Sequence, residues 1–370
     1  MIKKFICFIF IFAVFALPVS AEETNIYGEQ LKNSGFFETQ EKIPPDILNY
    51  LEQNGIDIND YNWVNSIKTE NVFTHIFGFL KSGLKKPLLS LGLILAIIIV
   101  TAILFDNQNN SVNTVISFTQ TLSIAGIIIT PVFSAITTAV TAMKSCAAFM
   151  TAFIPVFAVI TATTGKTATS ISMSSLLLGA ANGVSLISNF AVIPLIGGYM
   201  SLCLATSVSP LINNNGISSA VKKLSLWVMS LITTVFLGVL SIQTVVNAHA
   251  DNLSMRTAKF IIGSSVPVAG GVLSEALGTL TASVSLLKSS VGIYGIIICA
   301  LIFLPIIVEL LIWRITLWIS DFVALSFSLS KTSSLLQAID TVLSVLIGVI
   351  LLTAAMFIIS LSVVIGSSKI

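Results

Sequence analysis

The chain has 370 residues, of which 55% are hydrophobic and only 9% charged, with a formal net charge of +2. A soluble globular protein carries about 25% charged residues, spread along its whole length to keep a solvated surface. The near-neutral balance, and the lack of any basic run interleaved with aromatics, exclude a nucleic-acid binder of the usual electrostatic kind.

The few charges are segregated. Residues 22–86 hold ten of the sixteen acids and six of the eighteen bases, while residues 87–370 share six acids and ten bases. In chain order, Lys3 and Lys4 precede an apolar stretch over 5–17, and Pro18-Val19-Ser20-Ala21 stands before the acidic Glu22-Glu23. This order predicts a signal peptide over 1–21. The alternative is an uncleaved first span, but the apolar stretch is shorter than the roughly 20 residues that crossing a bilayer requires.

Residues 22–86 are expected to form a small extracytoplasmic segment. Pro44-Pro45 opens a short predicted helix with Asp46 in its first turn, and Asn54-Gly55 closes it. Farther on, Val72, Phe73, Ile76, Phe77, Leu80 and Leu84 recur at helical spacing beside Lys81, Lys85 and Lys86. That pattern fits an amphipathic helix lying on the membrane, or equally a helix packed inside the small segment.

Residues 87–370 read as a helical transmembrane domain. Uncharged stretches cover 88–105, 111–143 (with Pro131), 145–165 (with Pro155) and 167–221. Further apolar stretches follow at 224–246, 260–287 (interrupted by Glu275), 291–313 (with Glu309) and 343–365. The fold class is therefore all-α, a polytopic membrane protein with about seven to nine membrane segments after the signal. A barrel is excluded because its strands alternate apolar and polar over about ten residues, whereas these stretches are apolar throughout. Two basic clusters, Lys222-Lys223 and Arg256 with Lys259, flank one span and compete for the cytoplasmic side.

Chemistry-bearing motifs are scarce. The cysteines are Cys7, Cys146, Cys203 and Cys299, and the histidines His75 and His249 stand alone. No zinc spacing, disulfide framework, phosphate-binding loop or nucleophile–base arrangement emerges, so no enzyme activity, metal or cofactor is expected. Charge inside a span is costly and points to function by default. Glu275 follows Pro267, Gly270 and Gly271, small residues that let another helix approach. It reads either as a conduit-lining or partner-pairing carboxylate, or as a residue of a hydrated re-entrant turn. Asp251, Arg256 and Lys259 flank the same stretch and are read more simply as a solvated loop. Glu309 and Arg314, near Trp313 and Trp318, fit an interfacial belt. Pro155, in Phe153-Ile154-Pro155-Val156, resembles Pro267 in Ser265-Val266-Pro267-Val268, the kind of matched break that transporter repeats carry. Gly179 and Gly183 fit a small-xxx-small helix contact.

Several blocks together resemble the stage III sporulation protein AE family of endospore-forming bacteria. They are Phe153-Ile154-Pro155-Val156, the stretch 236–243, and the stretch from Asp251 through Arg256-Thr257-Ala258-Lys259-Phe260 to Val266-Pro267-Val268-Ala269-Gly270-Gly271. Leu273-Ser274-Glu275-Ala276, Ser285-Leu286-Leu287-Lys288 and Val291-Gly292 continue the series. Where the family often carries a second acid after the position of Glu275, this chain has Gly278. The resemblance implies a multi-pass component of a channel or secretion-like complex in the mother-cell membrane around the forespore. It implies as partners the other stage III sporulation proteins of one operon and a forespore membrane protein of the stage II sporulation protein Q type. It also implies support of late forespore gene expression, with energy supplied by a separate ATPase-like protein. The lipid bilayer is the remaining partner, and a homo-oligomer is compatible with the pattern. The competing expectation is a self-sufficient secondary transporter.

Overall fold

The computed structural model describes residues 31–56, 58, 63, 69–104, 110–187, 194, 197–201, 214–265 and 270–366. Its principal helices are α1 (Phe36–Gln40), α2 (Pro45–Gln53), α3 (Thr69–Leu104), α4 (Asn110–Thr163), α5 (Thr167–Ile187), α6 (Asn214–Ser265), α7 (Gly270–Ser326) and α8 (Ser330–Gly366). No strand occurs among the described residues. The signal peptide, over 1–21, lies outside them.

The short helix expected between the proline pair and Asn54-Gly55 is α2. Pro45 opens it, where a missing N–H costs nothing, and Asp46 faces the positive end of the helix dipole. At the other end the Asn54 side chain donates to Tyr50 O at 2.8 Å. Gly55 turns to φ +65, and Ile56 N then reaches Leu51 O at 2.9 Å. The helix buries Ile47, Tyr50 and Leu51. Phe36 meets the ring of Tyr294 edge-on at 5.3 Å, and Trp63 does so at 5.7 Å. Trp63 Nε1 also donates to Ser290 Oγ at 2.6 Å. The polar N-terminal part is thereby anchored on α7 and shares its apolar core. The 86–87 boundary drawn from composition falls inside α3, which runs unbroken across it.

Among the described residues, four stretches are long and apolar enough to cross a membrane: Gly83–Leu104, Ser111–Thr163, Val284–Ser326 and Ser330–Gly366. Two of the stretches read separately in the sequence, 111–143 and 145–165, form one helix with Pro131 and Pro155 inside it. Proline is tolerated there because it removes a single hydrogen bond and neighbouring helices can cover the exposed carbonyl. The 53 residues of Ser111–Thr163 would extend about 80 Å at 1.5 Å each, more than twice the roughly 30 Å hydrocarbon thickness at any ordinary tilt. Conversely, the apolar stretch 260–287 is divided between α6, which ends at Ser265, and α7, which begins at Gly270.

The core is a set of antiparallel helix pairs. α7 and α8 pair along their length: Asp321 meets Ser333, Arg314 meets Asp340, and Gly292 lies against Ile365. The α7–α8 turn closes through Ser328 at φ 59, with Leu329 N bonded to Ala324 O at 2.9 Å. α4 lines the other side of α7. Phe149, Phe153 and Phe157, one turn apart, stack at 5.2 and 5.6 Å. A Cβ at Gly295 would sit 2.7 Å from Phe153 Cζ, and one at Gly292 2.5 Å from Ile365 Cγ1. These two glycines, rather than Gly179 and Gly183, are where small side chains bring helices together. No atom lies within 4 Å of a Cβ built at Gly179 or Gly183. Outward, α6 presents Leu224, Trp227, Leu231, Val235, Ile242 and Val246, a stripe suited to lipid.

Candidate functional site

Asp251 lies in α6, 4% exposed, within a largely apolar bundle. Its Oδ1 accepts from Ala168 N at 2.8 Å, and its Oδ2 accepts from Thr169 N at 3.1 Å and Thr169 Oγ1 at 2.5 Å. Ala168 and Thr169 belong to the first turn of α5, whose N–H groups have no partner within the helix. The carboxylate therefore caps α5 from another helix, 83 residues away in sequence. The simple reading of Asp251, Arg256 and Lys259 as a solvated loop is corrected here. All three are helical residues of α6, and Asp251 faces inward. Arg256 is exposed. The Lys259 side chain lies outside the described residues.

Two lysines stand within electrostatic range of this carboxylate. Lys166 occupies the turn between α4 and α5, where Gly165 takes φ +81. Burial pulls the Lys166 ammonium down from the ordinary lysine value, an effect the negative charge of Asp251 partly offsets. Lys288 of α7 is wholly buried and feels the charges of both Lys166 and Asp251. Two residues past Lys288 on α7, Ser290 accepts from Trp63 Nε1.

Thr169 also lines a small cavity of about 10 Å³, with Thr161, Ser170, Ser174, Phe157 and Met173 among its walls. That is room for about one water centre. Down the same face of α6, one and two turns from Asp251, come Asn247 and Gln243. Asn247 Nδ2 and Gln243 Oε1 are buried and make no hydrogen bond among the described residues.

Of the other residues singled out by sequence, Gly270, Gly271 and Glu275 lie in the opening turns of α7, and their side chains are outside the described residues. Pro267 lies outside them altogether. Pro155 is exposed within α4. Glu309 and Arg314, read from the sequence as part of an interfacial belt, each have a charged neighbour in the structure. Arg314 forms a two-pronged ion pair with Asp340, at 2.7 and 3.0 Å, and half-buried Glu309 lies within electrostatic range of Lys86. Lys222 and Lys223 sit near the start of α6, 28 residues before Asp251, which is about 42 Å along the axis. The two basic clusters thus occupy opposite ends of one helix. Among the described residues no group of three His, Cys, Asp or Glu side chains could hold a metal.

Long apolar helices, inward-facing polar groups and an outward apolar stripe define a helical integral membrane protein. The chain belongs to the stage III sporulation protein AE family, whose model matches residues 61–368. The stage III sporulation protein AE of Bacillus subtilis (strain 168) is 29% identical over 164 residues, covering 44% of this chain and 41% of that relative. The aligned stretch thus spans less than half of the relative's length. No solved structure matches.

Proposed function

We propose that this protein is the multi-pass membrane component of a sporulation conduit linking mother cell and forespore, acting with other stage III sporulation proteins. The family match over 61–368, which takes in the helical domain, carries this reading. In it, the chain resides in the mother-cell membrane around the forespore, and its N-terminal segment meets partners in the intermembrane space. A forespore membrane protein of the stage II sporulation protein Q type completes the link. The role is non-enzymatic: the helices supply a shaped intramembrane scaffold. The test is deletion of the gene in a sporulating host, followed by a late forespore reporter and complementation in trans. The reading predicts normal engulfment, loss of late forespore expression, and recovery only when the copy is expressed in the mother cell. Recovery from forespore expression alone would overturn it.

Buried Asp251 and Lys288, with half-buried Lys166 nearby, favour a second reading, a self-sufficient secondary transporter, since charges inside a membrane bundle commonly serve ion coupling. Proton- or sodium-dependent uptake by the purified chain in liposomes supports that alternative. Uptake that is absent from the purified chain but present in the assembled complex removes it.

A further inference from the structure

We infer that a hydrated polar seam enters the helical domain along one face of α6, running from Asp251 past Asn247 to Gln243. The inference rests on side-chain placement and does not depend on the conduit reading.

Gln243, Asn247 and Asp251 are spaced four apart and share a helix face. Asn247 is 6% exposed, and its amide nitrogen has no acceptor among the described residues. Gln243, one turn away, is half-buried, but its Oε1 is shielded and has no donor there. A donor and an acceptor left dry on one face would each lose the hydrogen bond they make in water. Helices α5 and α8 pack on α6, and Asn247 and Asp251 are buried on this face. Water is the partner that can satisfy both groups. It offers donors and acceptors at any angle.

The neighbouring cavity gives independent support. Its walls are mainly apolar but carry the hydroxyls of Thr161, Thr169, Ser170 and Ser174, each of which donates within the protein and keeps a lone pair that can accept from water. Thr169 joins the two features, since it lines the cavity and donates to Asp251. The seam thus has a charged end at Asp251, within electrostatic range of Lys166 and Lys288, and two buried amide atoms along it. From Asp251 to Gln243 it runs about 12 Å along the helix axis.

The unaltered full-length protein provides the first test. X-ray radiolysis makes hydroxyl radicals from water at the site, and methionine is oxidised where water is adjacent. Met173 lines the cavity, whereas Met143 and Met150 are wholly buried among apolar side chains of α4. All three are shielded from bulk solvent, so water in the cavity beside Asp251 predicts oxidation of Met173 several-fold faster than of Met143 and Met150. Equal, slow oxidation of the three would overturn the cavity's part in the seam. The second test places cysteine at Gln243, Asn247 or the apolar neighbour Leu240 in membrane-embedded protein, with labelling by a small charged thiol reagent read by peptide mass. Labelling at 243 and 247 but not at 240 supports the seam. If exposed Lys223→Cys labels while neither 243 nor 247 does, the amides are dry and the inference fails.

Discussion

Replacing Asp251 by alanine strips the start of α5 of its cap. Two backbone N–H groups, at Ala168 and Thr169, and the Thr169 hydroxyl lose their acceptor. Lys166 and wholly buried Lys288 lose the negative charge that faces them. Loss of a helix cap alone costs about 0.5–2 kcal/mol. Leaving a buried donor without its acceptor costs about 1–3 kcal/mol. These effects overlap, so the expectation for Asp251→Ala is a loss of about 1–3 kcal/mol, with Asp251→Asn about half as severe since an acceptor oxygen remains. Exposed Arg256→Ala, five residues on, should stay within about 0.5 kcal/mol of the parent. Unfolding of the purified protein in mixed micelles, titrated with SDS and followed by circular dichroism, measures all three. If Asp251→Ala unfolds at the same SDS fraction as Arg256→Ala, the carboxylate does not hold α5, and the account of this site is wrong.

Gly295→Ala should destabilise by about 1–3 kcal/mol, since its Cβ would meet Phe153 at 2.7 Å, whereas Gly179→Ala should be neutral or stabilising; the same titration ranks them. Lys166 contributes a pH dependence whose sign follows from burial. The unfolded chain holds the Lys166 proton more tightly than the folded one, so stability should rise as pH climbs toward the ordinary lysine value of 10.5, and Lys166→Gln should flatten that rise in melting curves across alkaline pH. The Arg314–Asp340 pair is about one-third exposed on both sides, so a double-mutant cycle should give a coupling of about 1 kcal/mol or less despite its two-pronged geometry. Glu275→Ala should lower spore yield while the protein still accumulates on immunoblots; normal yield would remove Glu275 from the functional residues.

Local signals made part of this fold legible. Pro44-Pro45 and Asn54-Gly55 bracket α2 because φ restriction and glycine closure act within a few residues. The membrane domain was legible because hydrocarbon forces long apolar helices. What escaped the sequence depends on which helices meet. Asp251 resembled a loop charge among Arg256 and Lys259, and only the approach of α5 makes it a cap. Lys288 stood out only as part of a family block, and nothing near it in sequence hints that Lys166 and Asp251 face it. Gly179 and Gly183 carried the contact pattern, yet Gly292 and Gly295 make the contact, because close approach depends on what stands opposite. Asp340, the partner of Arg314, lies 26 residues away across the α7–α8 turn. Such pairings belong to tertiary packing, which spacing rules cannot reach.

The central claim, membership in a sporulation assembly, is tested most directly by tagging the C-terminus in sporulating cells, extracting gently and quantifying what co-purifies. The account predicts other stage III sporulation proteins in fixed proportion to this chain. Recovery of the chain alone, as a stable monomer or homodimer, under conditions that preserve a known membrane complex from the same cells, would contradict it.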